Sequence, residues 1–149
     1  MCSELCLTKT IIALFLFMQQ VYRHNQTTNF LIKYHFVWAV RRRNPVLKGM
    51  VAIRLEELIH EICKKLEIKV LILEIKPNYV HVFLDCPPTL SPHQVIHRLK
   101  GYSARHLRQE FEQLLVLPSM WTRFYLVSTE EIVSHETIKD YLKNKSQKA

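Results

Sequence analysis

Residues 30–40 read FLIKYHFVWAV, and every even position (Phe30, Ile32, Tyr34, Phe36, Trp38 and Val40) is apolar or aromatic. Alternation of period two marks a strand with one face in a core, because successive side chains point to opposite sides of a sheet. Such a strand needs paired neighbours and a layer to cover its apolar face. Its odd face, with Lys33 and His35, is more polar and is expected to look outward. The following segments supply the neighbours. Val51, Leu55, Leu58, Ile59, Ile62 and Leu66 recur at three- and four-residue spacing, which predicts an amphipathic helix over 50–66. Residues 68–75 (IKVLILEI) then read as a buried strand. Lys76-Pro77-Asn78 reads as a hairpin-type turn, since proline fixes φ and asparagine tolerates turn geometry. A third strand is expected over 79–84. Ser91-Pro92 opens a helix to about Glu112, with Val95, Ile96, Leu99 and Leu107 inward. Residues 121–127 predict a fourth strand, and Ser134 caps a last helix reaching about Lys145. The order βαββαβ plus a terminal helix specifies a ferredoxin-like α+β sandwich. One helix layer covers one sheet face and leaves the other free for function or for a partner subunit.

Charge narrows the function. The chain of 149 residues carries a net charge of +8, and residues 21–50 hold Arg23, Lys33, Arg41, Arg42, Arg43 and Lys48 with no acid. A local basic block points to a polyanion, of which nucleic acid is the commonest, against the plainer reading of a solvated basic loop. The only two glycines, Gly49 and Gly101, exclude a G-x-G-x-x-G dinucleotide loop and a Walker phosphate loop. Cys2, Cys6, Cys63 and Cys86 form no C-x-x-C pair and complete no zinc site, so reduced thiols in a cytoplasmic protein are expected. The apolar run at 10–18 (TIIALFLFM) is nine residues long, short of the ~20 that span a bilayer. No membrane partner is expected. The flanks of that run also make a poor signal peptide, because Glu4 precedes it and Gln19, Gln20, Val21 and Tyr22 follow. Residues 1–21 therefore read as an appendage, or as a mis-assigned start with Met18 as the first residue, ahead of a domain over 22–149.

Two places carry candidate chemistry. In Tyr79-Val80-His81-Val82-Phe83-Leu84 the aliphatic set must face the core, which leaves Tyr79, His81 and Phe83 on the other face. First and third strands are neighbours in a ferredoxin-like sheet, so His35 and His81 can come together there. Two histidines and a phenol on one face suit a divalent metal, although a single strand histidine is more often structural. Tyr141 lies between Ile138 and Lys145 at helical spacing, and spacing alone makes it a core anchor.

Tyr34-His35-Phe36-Val37-Trp38, followed by Arg41 to Arg43 and Pro45-Val46-Leu47, resembles the opening of the small single-tyrosine HUH transposases of bacterial insertion sequences and their REP-associated relatives. Lys76-Pro77-Asn78-Tyr79-Val80-His81-Val82-Phe83, Ser91-Pro92, Leu99-Lys100-Gly101-Tyr102-Ser103, Trp121 with Phe124-Tyr125-Leu126-Val127, and Glu136-Thr137-Ile138-Lys139-Asp140-Tyr141-Leu142 match in the same order. The resemblance covers roughly residues 22–147. It implies a dimer that cuts and rejoins single-stranded DNA at hairpins, with each site built from the strand motif of one subunit and the tyrosine helix of the other. A tyrosine attacks a phosphodiester to leave a 5′-phosphotyrosine and a free 3′-hydroxyl, assisted by Mg²⁺ or Mn²⁺. On this pattern Tyr141 is the nucleophile and His81 a metal ligand; strand adjacency makes His35 a candidate second ligand, and the basic residues Arg41, Arg42, Arg43, Lys33 and Lys100 are expected to contact DNA.

Two positions depart from the family pattern. The first histidine of the His-hydrophobic-His motif is Tyr79, and the glutamine expected four residues after the nucleophile is Lys145. A protonated ammonium has no lone pair for a cation, and a neutral phenol replaces imidazole poorly. Three accounts fit: a decayed transposase that still folds and binds DNA, an altered site in which His35 or Asn78 replaces a ligand, or Lys145 neutralising the phosphate in place of metal. The alternative function is a binding module for single-stranded or hairpin DNA without chemistry. A regulatory domain of the same fold accounts for the architecture but not for these motifs.

Overall fold

The computed structural model describes residues 22–146. The apolar run at 10–18, Cys2, Cys6 and Met18 lie outside the described residues. Two compact units divide between Leu31 and Ile32. In the first, β1 (Arg23–His24) and β2 (Asn29–Phe30) pair antiparallel, with Arg23 opposite Phe30. The Asn25 side-chain oxygen closes the turn, accepting from the backbone N–H of Thr27 at 3.0 Å and of Thr28 at 2.8 Å. Phe30 thus belongs to this hairpin, and the long strand expected from residue 30 starts three residues later.

The second unit runs β3 (Lys33–Ala39), a 3₁₀ turn (Arg41–Arg43), α1 (Met50–Lys65), β4 (Lys69–Ile75), β5 (Tyr79–Asp85), α2 (Pro92–Glu110), a second 3₁₀ turn (Glu112–Val116), β6 (Leu126–Ser128) and α3 (His135–Ser146). Its sheet has the antiparallel order β4-β5-β3-β6, the ferredoxin-like arrangement in which the first and third strands of the motif lie side by side. Phe36 and Trp38 of β3, Val40 just beyond it, and Val80, Val82 and Leu84 of β5 are buried beneath α1 and α2, where Leu55, Leu58, Ile59, Val95, Ile96 and Leu99 meet them. The capping box that starts α2 is reciprocal: Ser91 Oγ accepts from Gln94 N at 3.2 Å and Gln94 Oε1 accepts from Ser91 N at 3.0 Å.

Three expectations need correcting. The strand β4 lies at the sheet edge and is not buried: Leu71 and Ile72 are exposed, and a register shift between Val70 and Ile72 turns Leu71 outward. The fourth strand is only three residues long. Trp121 bridges Val40, and Leu126 pairs with Val37, so five steps of chain oppose three and the extra residues loop out. Trp121 holds the near end of that loop, donating Nε1–H to Ser103 Oγ at 3.1 Å while its ring meets Trp38 edge-on. Finally, the second sheet face is not free. Helix α3 lies across it, and its Ile138 and Leu142 bury Val37 and Ala39. The apolar residues in the C-terminal half of the odd face of β3, Val37 and Ala39, provide the seat that the more polar start of that face, Lys33 and His35, concealed from a reading by alternation.

Candidate active site between the arginine turn and helix α3

Pairing of β3 with β5 sets Ala39 opposite Tyr79, Val37 opposite His81 and His35 opposite Phe83, so all six side chains share the face beneath α3. His35 Nδ1 is 3.0 Å from His81 Nε2, and the His35 ring stacks on Phe83 with centroids 4.0 Å apart. The outer nitrogens are engaged as well. His81 Nδ1 is 3.4 Å from a Glu74 carboxylate oxygen, and His35 Nε2 is 3.2 Å from the Glu131 carbonyl. Burial holds the His35 pKa below the ordinary imidazole value, the Glu131 carbonyl opposing that shift. Glu74 escaped sequence reasoning. The signal was there, because counting back from the Pro77-Asn78 turn places it opposite His81.

At the C-terminal end of β3 a second arrangement forms. Arg42 and Arg43 take left-handed backbone at φ 55° and 52°. That conformation costs roughly 1–2 kcal/mol per residue where a Cβ is present. From α3, Tyr141 and Lys145 project one helical turn apart, and the loop ahead of β6 brings up Arg123 and Phe124. Together they line a cavity of about 500 Å³ with Arg41, Arg42, Arg43, Ala39, Thr122 and Leu142. Five cations line it and no carboxylate does. Burial pushes the Tyr141 phenol up to about 12, with the positive charge of Arg43 opposing the shift. Arg43 Nη2 is buried without a hydrogen-bond partner. Arg123 was hidden from the sequence because an unbroken strand over 121–127 has no loop to deliver it.

The remaining candidates fall elsewhere. Lys100 donates to the Thr122 carbonyl at 2.6 Å, and burial lowers its pKa. It anchors the base of the loop rather than lining the cavity. Lys33 stands at the opposite end of β3, roughly 25 Å from Arg41 along an extended chain, with Asp85 across from it in the register.

These donors do not fit a Mg²⁺ or Mn²⁺ ion, which prefers several oxygen ligands. Both nitrogens of His81 already have partners. Tyr79 is held neutral, its pKa raised by burial and by the Glu74 charge. The Lys145 ammonium sits 4.4 Å from the centroid of the Phe124 ring. Among the described residues, no group of three or more His, Cys, Asp or Glu side chains is placed to hold a metal.

Fold and cavity define a small ferredoxin-like protein with a tyrosine helix laid beside an arginine-rich site. The comparisons narrow this class. Residues 28–145 match the family described as "Transposase IS200 like", and the chain belongs to that family. It is 28% identical over 120 residues to the ISDra2 transposase TnpA of Deinococcus radiodurans, covering 78% of this chain and 86% of that one. Against the transposase for insertion sequence element IS200 of Salmonella typhimurium it is 28% identical over 122 residues, covering 78% of each chain. A crystal structure of a candidate transposase from D. radiodurans R1 superposes with a TM-score of 0.72 at 29% identity, covering 82% of this chain and 96% of that one.

Proposed function

We propose that this protein acts on single-stranded or hairpin DNA as a transposase, cutting and rejoining one strand through a 5′-phosphotyrosine at Tyr141. The observation that carries the reading is the cavity itself: the Tyr141 side chain opens into a site lined by Arg41, Arg42, Arg43, Arg123 and Lys145 with no acid. Phosphodiester oxygens are the natural counter-charge, and Arg is suited to them because its guanidinium offers two parallel donors. The experiment uses 3′-labelled single strands from the DNA flanking the gene. A labelled band that stays with the protein on a denaturing gel, and is lost in Tyr141→Phe, is the expected result. DNA bound without any such band would favour the second reading, a binding module without chemistry. The specific observation on its side is the poor fit of Tyr79, His81 and Lys145 to a metal.

Oligomeric state belongs to the same proposal. Here α3 covers the sheet of its own chain. In a homodimer, exchange of α3 between subunits would build the same cavity from two chains. Sedimentation at micromolar concentration tests this, and a monomer argues against a shared site. We also propose that residues 1–21 are an appendage to a domain over 22–149, which limited proteolysis checks: cleavage confined to residues 1–21 is the expected result, and cleavage that destroys the rest of the chain at the same rate argues against it.

A further inference from the structure

The cavity around Tyr141 has two properties that the fold alone does not require. One is charge without compensation: five cationic side chains approach one another with no carboxylate in the lining, an arrangement that repels itself unless an anion enters. The other is the state of Arg43. Its Nη2 donor is buried and unpartnered, which costs more than leaving it in water, and its backbone is left-handed although it carries a Cβ. Strain and an unmet donor on one residue mark a position held for a ligand. Arg43 is also near enough to Tyr141 for its charge to act on the phenol. The metal donors, by contrast, are tied up with one another or replaced.

We propose that Arg43, Arg123 and Lys145 hold the scissile phosphate against the Tyr141 hydroxyl and themselves supply the positive charge of the reaction, so that strand cleavage needs no metal ion. The inference rests on the transposase reading above and deepens it. In the step, the bond from Tyr141 Oη to phosphorus forms and the bond from phosphorus to the 3′ oxygen breaks. The phenol gives up one proton and the departing 3′ oxygen takes one up, exchanged through solvent, so no further reactant enters. The phosphorus centre passes from one negative charge toward two. Two guanidinium groups and one ammonium offset that gain, as preorganised donors do when aimed at developing charge. Lys145 thereby has a task at the position where the family pattern expects a glutamine, because an ammonium that repels a cation attracts a phosphate.

The test compares the full chain in EDTA and in Mn²⁺, using the same 3′-labelled single strands from the DNA flanking the gene and scoring the covalent band. The expected result is a Tyr141-dependent band of equal intensity in both. Arg43→Gln and Lys145→Gln should each weaken the band in EDTA by about a hundredfold, the usual loss when one preorganised donor is removed. If Arg43→Gln fails to fold, as judged by circular dichroism, Arg123→Gln carries the same test from an exposed position. A band in Mn²⁺ but none in EDTA overturns this inference and leaves the transposase reading standing. A band in EDTA that survives all three substitutions overturns the assignment of the cations. No band in either condition overturns both the inference and covalent cleavage as the function.

Discussion

The imidazole rings of His35 and His81 meet directly, Nδ1 to Nε2 at 3.0 Å, in the middle of a run from the Glu74 carboxylate to the Glu131 carbonyl. Three hydrogen bonds in that run need three protons, and two neutral imidazoles bring only two. Two neutral imidazoles therefore satisfy two of the three contacts at a time. Both rings are buried, at 2% and 6% exposure, so the two nitrogens that face each other, His35 Nδ1 and His81 Nε2, depend on one another for a partner.

A double-mutant cycle measures that dependence. His35→Ala and His81→Ala should each destabilise the fold by about 1–3 kcal/mol, the penalty for stranding a buried polar group. The double variant should lose less than the sum, with a coupling of about 0.5–3 kcal/mol. Urea unfolding gives all three values, and strict additivity would show that each ring is held by other groups.

The strained arginine turn makes an opposite prediction. Arg42 is exposed and left-handed at φ 55°, so Arg42→Gly should relax the backbone and raise stability by about 1 kcal/mol. The same change removes a cation from the cavity and should weaken binding to single-stranded DNA. Thermal unfolding and fluorescence anisotropy together check the trade. A variant that gains stability with unchanged DNA affinity would separate the strain from the function.

How much of this was written in the chain depends on the range of the interactions involved. The helices at 50–65 and 92–110 and the strand at 79–85 follow from local periodicity, and the sequence reading ends within a residue or two of each. The shared face of His35, Tyr79 and His81 was also legible, because strand alternation and sheet order fix it without side-chain detail. Arg123 was not, since the loop that presents it exists only because Trp121 bridges Val40 while Leu126 pairs with Val37. Nor was the covering of the second face. Val37 and Ala39 are apolar, but only the docking of Ile138 and Leu142, about a hundred residues on, shows that they are a seat rather than a surface.

Salt dependence tests the arginine turn as a phosphate contact. Each phosphate neutralised on a single strand contributes about 0.7 to the slope of log affinity against log salt. Replacing Arg41, Arg42 and Arg43 together with Gln should therefore reduce the magnitude of that slope by about 2. The measurement is anisotropy of a labelled single strand over a salt series. A triple variant with the parent's slope would place the bound phosphates elsewhere on the protein.

Cys63 supplies a prediction for the core. It is 1% exposed, and burial pushes its thiol pKa up to about 12. In the unfolded chain the same thiol ionises near ~8.5. Below that value both states hold the proton and burial contributes its full stability. Above it the unfolded state releases the proton while the folded state keeps it, so stability falls by about 1.4 kcal/mol for each further pH unit, or about 2 kcal/mol by pH 10. Cys63→Ala removes this dependence along with the thiol. Unfolding free energies at pH 8 and pH 10 should drop more steeply in the parent than in Cys63→Ala by about 2 kcal/mol, whatever the substitution itself costs at pH 8. Equal drops in the two proteins would mean that the folded state admits the thiolate, and that the packing between α1 and the sheet is looser than a buried Cys63 requires.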